Sequence, residues 1–235
     1  MADAHVLKFS PTGQVMLTIG TPGTPGSGNT SLNRPAGVTV DDAANEVYIA
    51  DSGNHRIVVF DSNTGAFKRQ WGGSGQAPTA AGAGPYDPNA APSPQFRDPS
   101  CVKIAKDGTV YVCDRTSNRI QVFQKDGKFV KEQVIAKETG SVSAAVGQIV
   151  IVSGGSVWDI AFSNDAAQRF MYVADGANKK IRILNRSTLA EVGSIGGGGR
   201  WPGRFLTPST VAVDSRGNLY TGETYHTKRV QKFVR

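Results

Sequence analysis

Apolar and polar residues alternate along positions 47 to 60, VYIADSGNHRIVVF, in two short runs separated by a polar turn. Alternation with a period of two marks a half-buried strand, so the stretch reads as two antiparallel strands joined tightly. The pattern returns as VYVCDRTSNRIQVF at 110 to 123, MYVADGANKKIRIL at 171 to 184 and LYTGETYHTKRVQKF at 219 to 233. Upstream of each hairpin stands another short apolar run and a turn, beginning at Pro35, Pro99, Ser156 and Pro208. Downstream of the first three comes one more run: NTGAFKRQW, KDGKFVKEQ and STLAEVGSI. Each unit is thus four antiparallel strands, a to d, and Pro35 to Trp71 takes 37 residues, the length of a β-propeller blade.

A lone four-stranded sheet leaves two apolar faces uncovered, so the units must pack face to face. The expected fold is all-β: a single β-propeller domain over residues 1–235 with an N-terminal hairpin at 5–20, blades near 35–72, 99–136, 156–196 and 208–235, and a long loop at 73–98. Antiparallel succession sends the b-to-c turns and d-to-a connections out on one face. The long irregular segments, at 21–34, 72–98, 137–155 and 196–207, all belong to that face. It is therefore the candidate binding surface.

Repeats of the form Y-I-A-D-x-x-N-x-R-I-x-V-F followed by T-G-x-F-x-x-x-W-G resemble NHL repeats, the blades of a six-bladed propeller family. The order of blades and loops is more closely similar to bacterial propellers akin to the lyase domain of peptidylglycine amidating enzymes. That resemblance implies a catalytic zinc held by histidines at the start of strand a, in a proline-histidine context. Here those places read Pro99-Ser100 and Pro208-Ser209, and serine is a poor zinc ligand. The scaffold is expected to persist without the lyase metal site.

His5, His55 and His226 fall in different repeats, each at or just before a c strand, and read as turn residues rather than a converging metal site. GGGG at 196–199 is followed by Arg200, Trp201 and Pro202 and is no phosphate loop. No cofactor is predicted, with zinc and calcium left open. Asp51, Asp114, Asp175 and Glu223 recur once per repeat, ahead of Arg56, Arg119, Lys180 and Arg229. A catalytic acid is single, so these pairs read as structural clasps of the b-to-c turns.

Features outside the repeat are better candidates for recognition. Tyr86 lies in the longest loop, Trp201 in a glycine-rich connection, Tyr225 and His226 in the one lengthened b-to-c turn, and Arg115 where small residues follow the other aspartates. Aromatic and arginine side chains dominate recognition energies.

The net charge of +7 changes the picture little. Residues 200–235 hold seven basic side chains and two acidic ones, which permits RNA binding but also protects an exposed strand edge. No ladder of aromatics accompanies the charge. With 39% hydrophobic residues and no long uncharged apolar run, the composition is that of a soluble globular protein, and the N-terminus shows no secretory signal. Cys101 and Cys113 flank a tight KDG turn and are expected as neighbouring buried thiols, with a strained cross-strand bond as the alternative.

The sequence thus reads as a non-enzymatic propeller scaffold binding a protein or peptide on its loop-rich face, with a diverged amidating lyase and an RNA-binding module as alternatives. One further expectation concerns ring closure. Residues 5–19 match strands c and d, so residues 14–19 are expected to dock beside 229–234 as the missing outer strand of the last blade, with residues 5–9 further out or frayed. Otherwise the open edges await another molecule, a second copy included.

Overall fold

The computed structural model describes residues 4–140, 144–146, 149–151, 154–224 and 227–234. The fold is all-β and of β-propeller type. A two-stranded hairpin, β1 (His5–Phe9) and β2 (Val15–Gly20), comes first. The first blade is β3 (Pro35–Asp41), β4 (Glu46–Asp51), β5 (Arg56–Asp61) and β6 (Phe67–Trp71), in sequential antiparallel order. The second is β7 (Pro99–Ile104), β8 (Val110–Asp114), β9 (Arg119–Phe123) and β10 (Phe129–Val134). A small hairpin, β11 (Ala144–Val146) and β12 (Ile149–Ile151), precedes the third blade, β13 (Asp159–Phe162), β14 (Phe170–Asp175), β15 (Lys180–Asn185) and β16 (Glu191–Gly196). The last sheet has three strands, β17 (Pro208–Val213), β18 (Leu219–Glu223) and β19 (Val230–Phe233). No helix of the described residues is long and apolar enough to cross a membrane.

The chain divides into two compact units, and the second blade contributes strands to both. In the first unit, Tyr48, Ala50, Ile57, Val59 and Trp71 of the first blade pack against Val102, Val110, Val112 and Phe123. Gly37 makes this approach possible: a Cβ there would stand 2.8 Å from both the Cys101 Cα and the Ser100 carbonyl oxygen. In the second unit Trp158, Ala174 and Ile181 of the third blade meet Phe205, Val211 and Leu219.

The N-terminal hairpin forms a two-stranded sheet of its own. Among the described residues β2 pairs only with β1, and β19 only with β18. Val6, Leu17 and Ile19 share one face of the hairpin and pack onto Leu32, Val47, Ile49, Val58 and Phe60 of the first blade. His5–Phe9 does not fray: it pairs with β2 along its length. The hairpin even carries the blade's own irregularity. A bulge between Lys8 and Phe9 matches those between Val59 and Phe60 and between Ile183 and Leu184, so β1 and β2 are a true c–d pair.

The cysteine expectation is also corrected. Cys101 and Cys113 are both disulfide-bonded and no free cysteine remains. They lie on β7 and β8, neighbouring antiparallel strands, where opposed Cα atoms are about 4.5–5.5 Å apart, within a disulfide's reach.

One buried polar cluster ties the first blade together. Arg69 donates to both Glu46 oxygens at 2.7 Å, and the Tyr48 hydroxyl donates to the same carboxylate at 2.8 Å. The hydrogen bonds from Arg69 hold the Glu46 carboxyl down at about 2, against an ordinary 4.5. Burial pushes the Tyr48 phenol up. A depressed acid stabilises the fold fully above its unfolded pKa and loses that contribution as pH falls through the folded value. Urea midpoints are therefore expected to fall as pH drops from 4.5 towards 2, and Glu46→Gln should flatten that part of the profile. An unchanged slope in the variant would assign the acid sensitivity to other groups.

Candidate loop-display site

Each b-to-c turn is built around a buried carboxylate. Asp51 accepts from the Arg56 Nε, the Asn54 side chain and the Asn33 backbone N–H, each at 2.7 Å. Arg56, only 2% exposed, spends its remaining donors on the Ser27, Gly28 and Ser31 carbonyls and on Gln70. Asn54 adds a bond to the Gly26 carbonyl. The turn therefore grips the connection that leads into its own blade. His55, Asn118, Lys179 and Lys228 each precede the next strand in the left-handed region, at φ 54°, 53°, 59° and 45°.

The second unit repeats this device with different partners. Arg119 bonds Asp114 at 2.9 Å and Glu132 at 3.0 Å, while the Asn118 amide donates to the Thr139 carbonyl and accepts from the Ser156 N–H. Glu223 pairs with Arg229 and accepts from the Leu206 N–H, and Arg229 reaches the carbonyls of Arg200 and Arg204. In the third blade the assignment of Lys180 is corrected. Lys180 stands opposite Asp175 in the ladder, but the Arg182 Nε takes that carboxylate at 2.6 Å. The same guanidinium also reaches Glu191 at 2.6 Å, its planar fork serving both carboxylates. Burial pushes the Asp175 carboxyl up in spite of these donors. The signal for Arg182 was present, as an arginine two residues on and on the same strand face.

The candidate recognition residues differ in what they touch. Tyr86, in the first unit, lies under the Arg97 guanidinium at 5.3 Å, and Arg97 also donates to the carbonyls of Ala83, Gly84 and Pro85. His55 Nδ1 bonds the Arg97 carbonyl at 2.9 Å, so turn and long loop are held together. In the second unit the Arg115 guanidinium carbon lies over the Trp158 ring, 4.6 Å from its centroid, and the Trp158 indole donates to the Gly155 carbonyl. Sequence reasoning passed over Trp158. Tyr225 and His226 lie outside the described residues.

Trp201 stands apart, 80% exposed on a closed loop. Gly199 N–H donates to the Phe205 carbonyl at 3.0 Å, Phe205 N–H to the Gly197 carbonyl at 2.9 Å, and Arg204 N–H to the Trp201 carbonyl at 3.0 Å. Phe205 is buried beneath, and Arg229 and Gln231 hold the Arg204 carbonyl. The loop is fixed from below while its indole is offered to solvent.

The repeats at 32–60 and 96–123, which hold the first two clasps, match the NHL repeat family profile. The chain carries NHL repeats. It is 33% identical over 226 residues to peptidyl-glycine alpha-amidating monooxygenase B of Xenopus laevis, covering 93% of this chain and 22% of that protein. With NHL repeat-containing protein 3 of Mus musculus it shares 27% identity over 246 residues, covering 97% of this chain and 58% of the relative. The chain thus spans less than two thirds of either relative. Its structure aligns with Kuenenia stuttgartiensis hydrazine synthase at a TM-score of 0.56 and 15% identity, over 86% of this chain and 46% of that one. The RRP9 WD40 repeats align at 0.52 and 11% identity, over 85% and 50%. These last two likenesses speak for the propeller fold alone.

The zinc implied by similarity to amidating lyases does not fit the described residues. Ser100 and Ser209 stand where that resemblance implies the ligands, and the Ser209 hydroxyl faces the Gly222 carbonyl at 3.3 Å. Among the described residues no three His, Cys, Asp or Glu side chains gather so as to hold a metal ion.

Proposed function

We propose that this NHL-repeat propeller is a binding scaffold that captures a protein or peptide partner through the loops its turn clasps hold, with Trp201 as the anchor. The observation that carries the reading is an indole four-fifths exposed on a loop whose backbone is pinned by Arg229, Gln231 and buried Phe205. A rigid aromatic loses little conformational entropy on binding, and such residues form the energetic centre of interfaces. Lys179 passes across the same loop beside Gly198, and the Arg204 guanidinium folds over Gly197.

Peptides selected from a random library on the immobilised full chain test this. Trp201→Ala is expected to weaken the selected peptides about 30-fold, near 2 kcal/mol, with thermal unfolding essentially unchanged. Equal binding by the variant would refute the anchor. Stoichiometric zinc with turnover of a peptidyl-hydroxyglycine would replace the scaffold by a lyase, and tight RNA binding that falls steeply with salt would change the partner class.

A further inference from the structure

We propose that the surface carrying the Trp201 loop selects an acidic partner, a protein or peptide segment whose Asp or Glu side chains meet Lys179, Arg200 and Arg204 while an apolar residue meets the indole. The inference rests on Trp201 as the anchor and adds the chemistry of what binds there.

Between Glu191 and Asp214 the chain holds no acidic residue, and Arg200 and Arg204 bracket Trp201 within that stretch. Both arginines are exposed, as is Lys179. The backbone that carries them is fixed. The Arg204 N–H donates to the Trp201 carbonyl at 3.0 Å, which folds residues 201–204 into one turn, and the Arg200 carbonyl is held by the Arg229 guanidinium. Lys179 belongs to the same arrangement: its carbonyl accepts from the Gly197 N–H at 3.0 Å, and its stem lies 3.4 Å from where a Cβ on Gly198 would stand. The three cations thus share one hydrogen-bonded stretch of backbone.

The acids of the two turns that hold this loop do not offset them. Asp175 is fully buried and engaged by Arg182 and Asn178. The Glu223 carboxylate is buried too, engaged by Arg229 and by the Leu206 and Thr207 N–H groups. Elsewhere, surface cations stand beside acids: Lys68 beside Glu46 and Asp61, Lys125 beside Asp41, and Arg169 beside Asp165. Among the described residues Lys179, Arg200 and Arg204 have no such neighbour within 4.0 Å, so this surface keeps a positive potential. A carboxylate is its complement, because a guanidinium fork binds one through two parallel hydrogen bonds and like charge turns basic segments away. A nucleic acid fits less well. Binding of a single strand stacks successive bases on several aromatics, and Trp201 is the one exposed aromatic among the described residues of the second unit.

Two synthetic peptides of equal length are the probes, one with Asp and Glu around a single leucine and one with Asn and Gln in their place. The full chain is expected to bind the acidic peptide at least about tenfold more tightly than the amide one, with the difference shrinking as salt is raised. Arg200→Gln and Lys179→Gln should each weaken the acidic peptide about threefold and leave the amide one unchanged, while Arg200→Lys keeps most of the affinity. Arg169→Gln removes the same charge from the a-to-b turn of the third blade and should change neither. No binding of the acidic peptide, equal binding of the two, or indifference to both glutamine variants would overturn the proposal. With Trp201→Ala still weakening the amide peptide, the anchor would stand without it. Loss of any Trp201 dependence would remove the anchor and the proposal together. An oligothymidylate or phosphatidylserine vesicles holding the chain more tightly at the same salt, through the same residues, would overturn it by giving the surface to another class of partner.

Discussion

Replacing Arg56 by methionine is expected to destabilise the chain by about 3–5 kcal/mol, the cost of stranding one charge of a buried pair. Asp51 is fully buried, and the remaining donors, Asn33 N–H and the Asn54 amide, are neutral. Without the guanidinium the carboxylate either stays charged at low polarity or takes up a proton. The Ser27, Gly28 and Ser31 carbonyls lose their donors too, so exchange in residues 26–31 should speed up more than exchange in β4 and β5. Asp51→Asn added to Arg56→Met should recover part of the loss, since two neutral groups replace one orphaned charge. Urea denaturation of the two variants is the measurement. A single variant within about 1 kcal/mol of the parent would mean that water enters the turn and solvates Asp51.

Phe123→Ala should cost a comparable about 3–5 kcal/mol, for a different reason. Its ring sits 5.8 Å from Trp71, 6.0 Å from Phe96 and 5.8 Å from Phe129, at angles from 50° to 71°. Phe123 is fully buried, and its neighbours come from β6, from the long loop and from β10. Truncation removes the apolar transfer energy and leaves a cavity whose walls are strands, which cannot close on it. Phe123→Leu keeps more volume and should lose less. Because Trp71 reports on this cluster, a red shift of its fluorescence should accompany the alanine variant. Loss of the same size from Trp201→Ala would instead show that the exposed loop belongs to the core.

Much of this architecture was legible because its signals are local. Alternation in VYIADSGNHRIVVF needs only the pleat, and the recurring Asp, Asn and Arg need only a turn that buries a carboxylate. Trp201 could be singled out because glycines surround it in a connection outside the repeat. What an isolated stretch cannot encode is its partner across a gap. Arg115 and Trp158 lie 43 positions apart and meet only when the turn after β8 and the start of the third blade come together. Arg182 displaced Lys180 because both Asp175 and Glu191 lay within its fork, a matter of side-chain reach rather than spacing.

The sequence by itself determined the strand repeat, the blade length, the turn clasps and the c–d character of residues 5–19, since each follows from patterns a few residues long. The tertiary structure alone decided that Cys101 and Cys113 are bonded, that Trp201 projects, and that the N-terminal hairpin covers the first blade by its face. The apolar surface that Val6, Leu17 and Ile19 remove from water is matched by Val47, Ile49, Val58 and Phe60, residues 28 or more positions further along the chain.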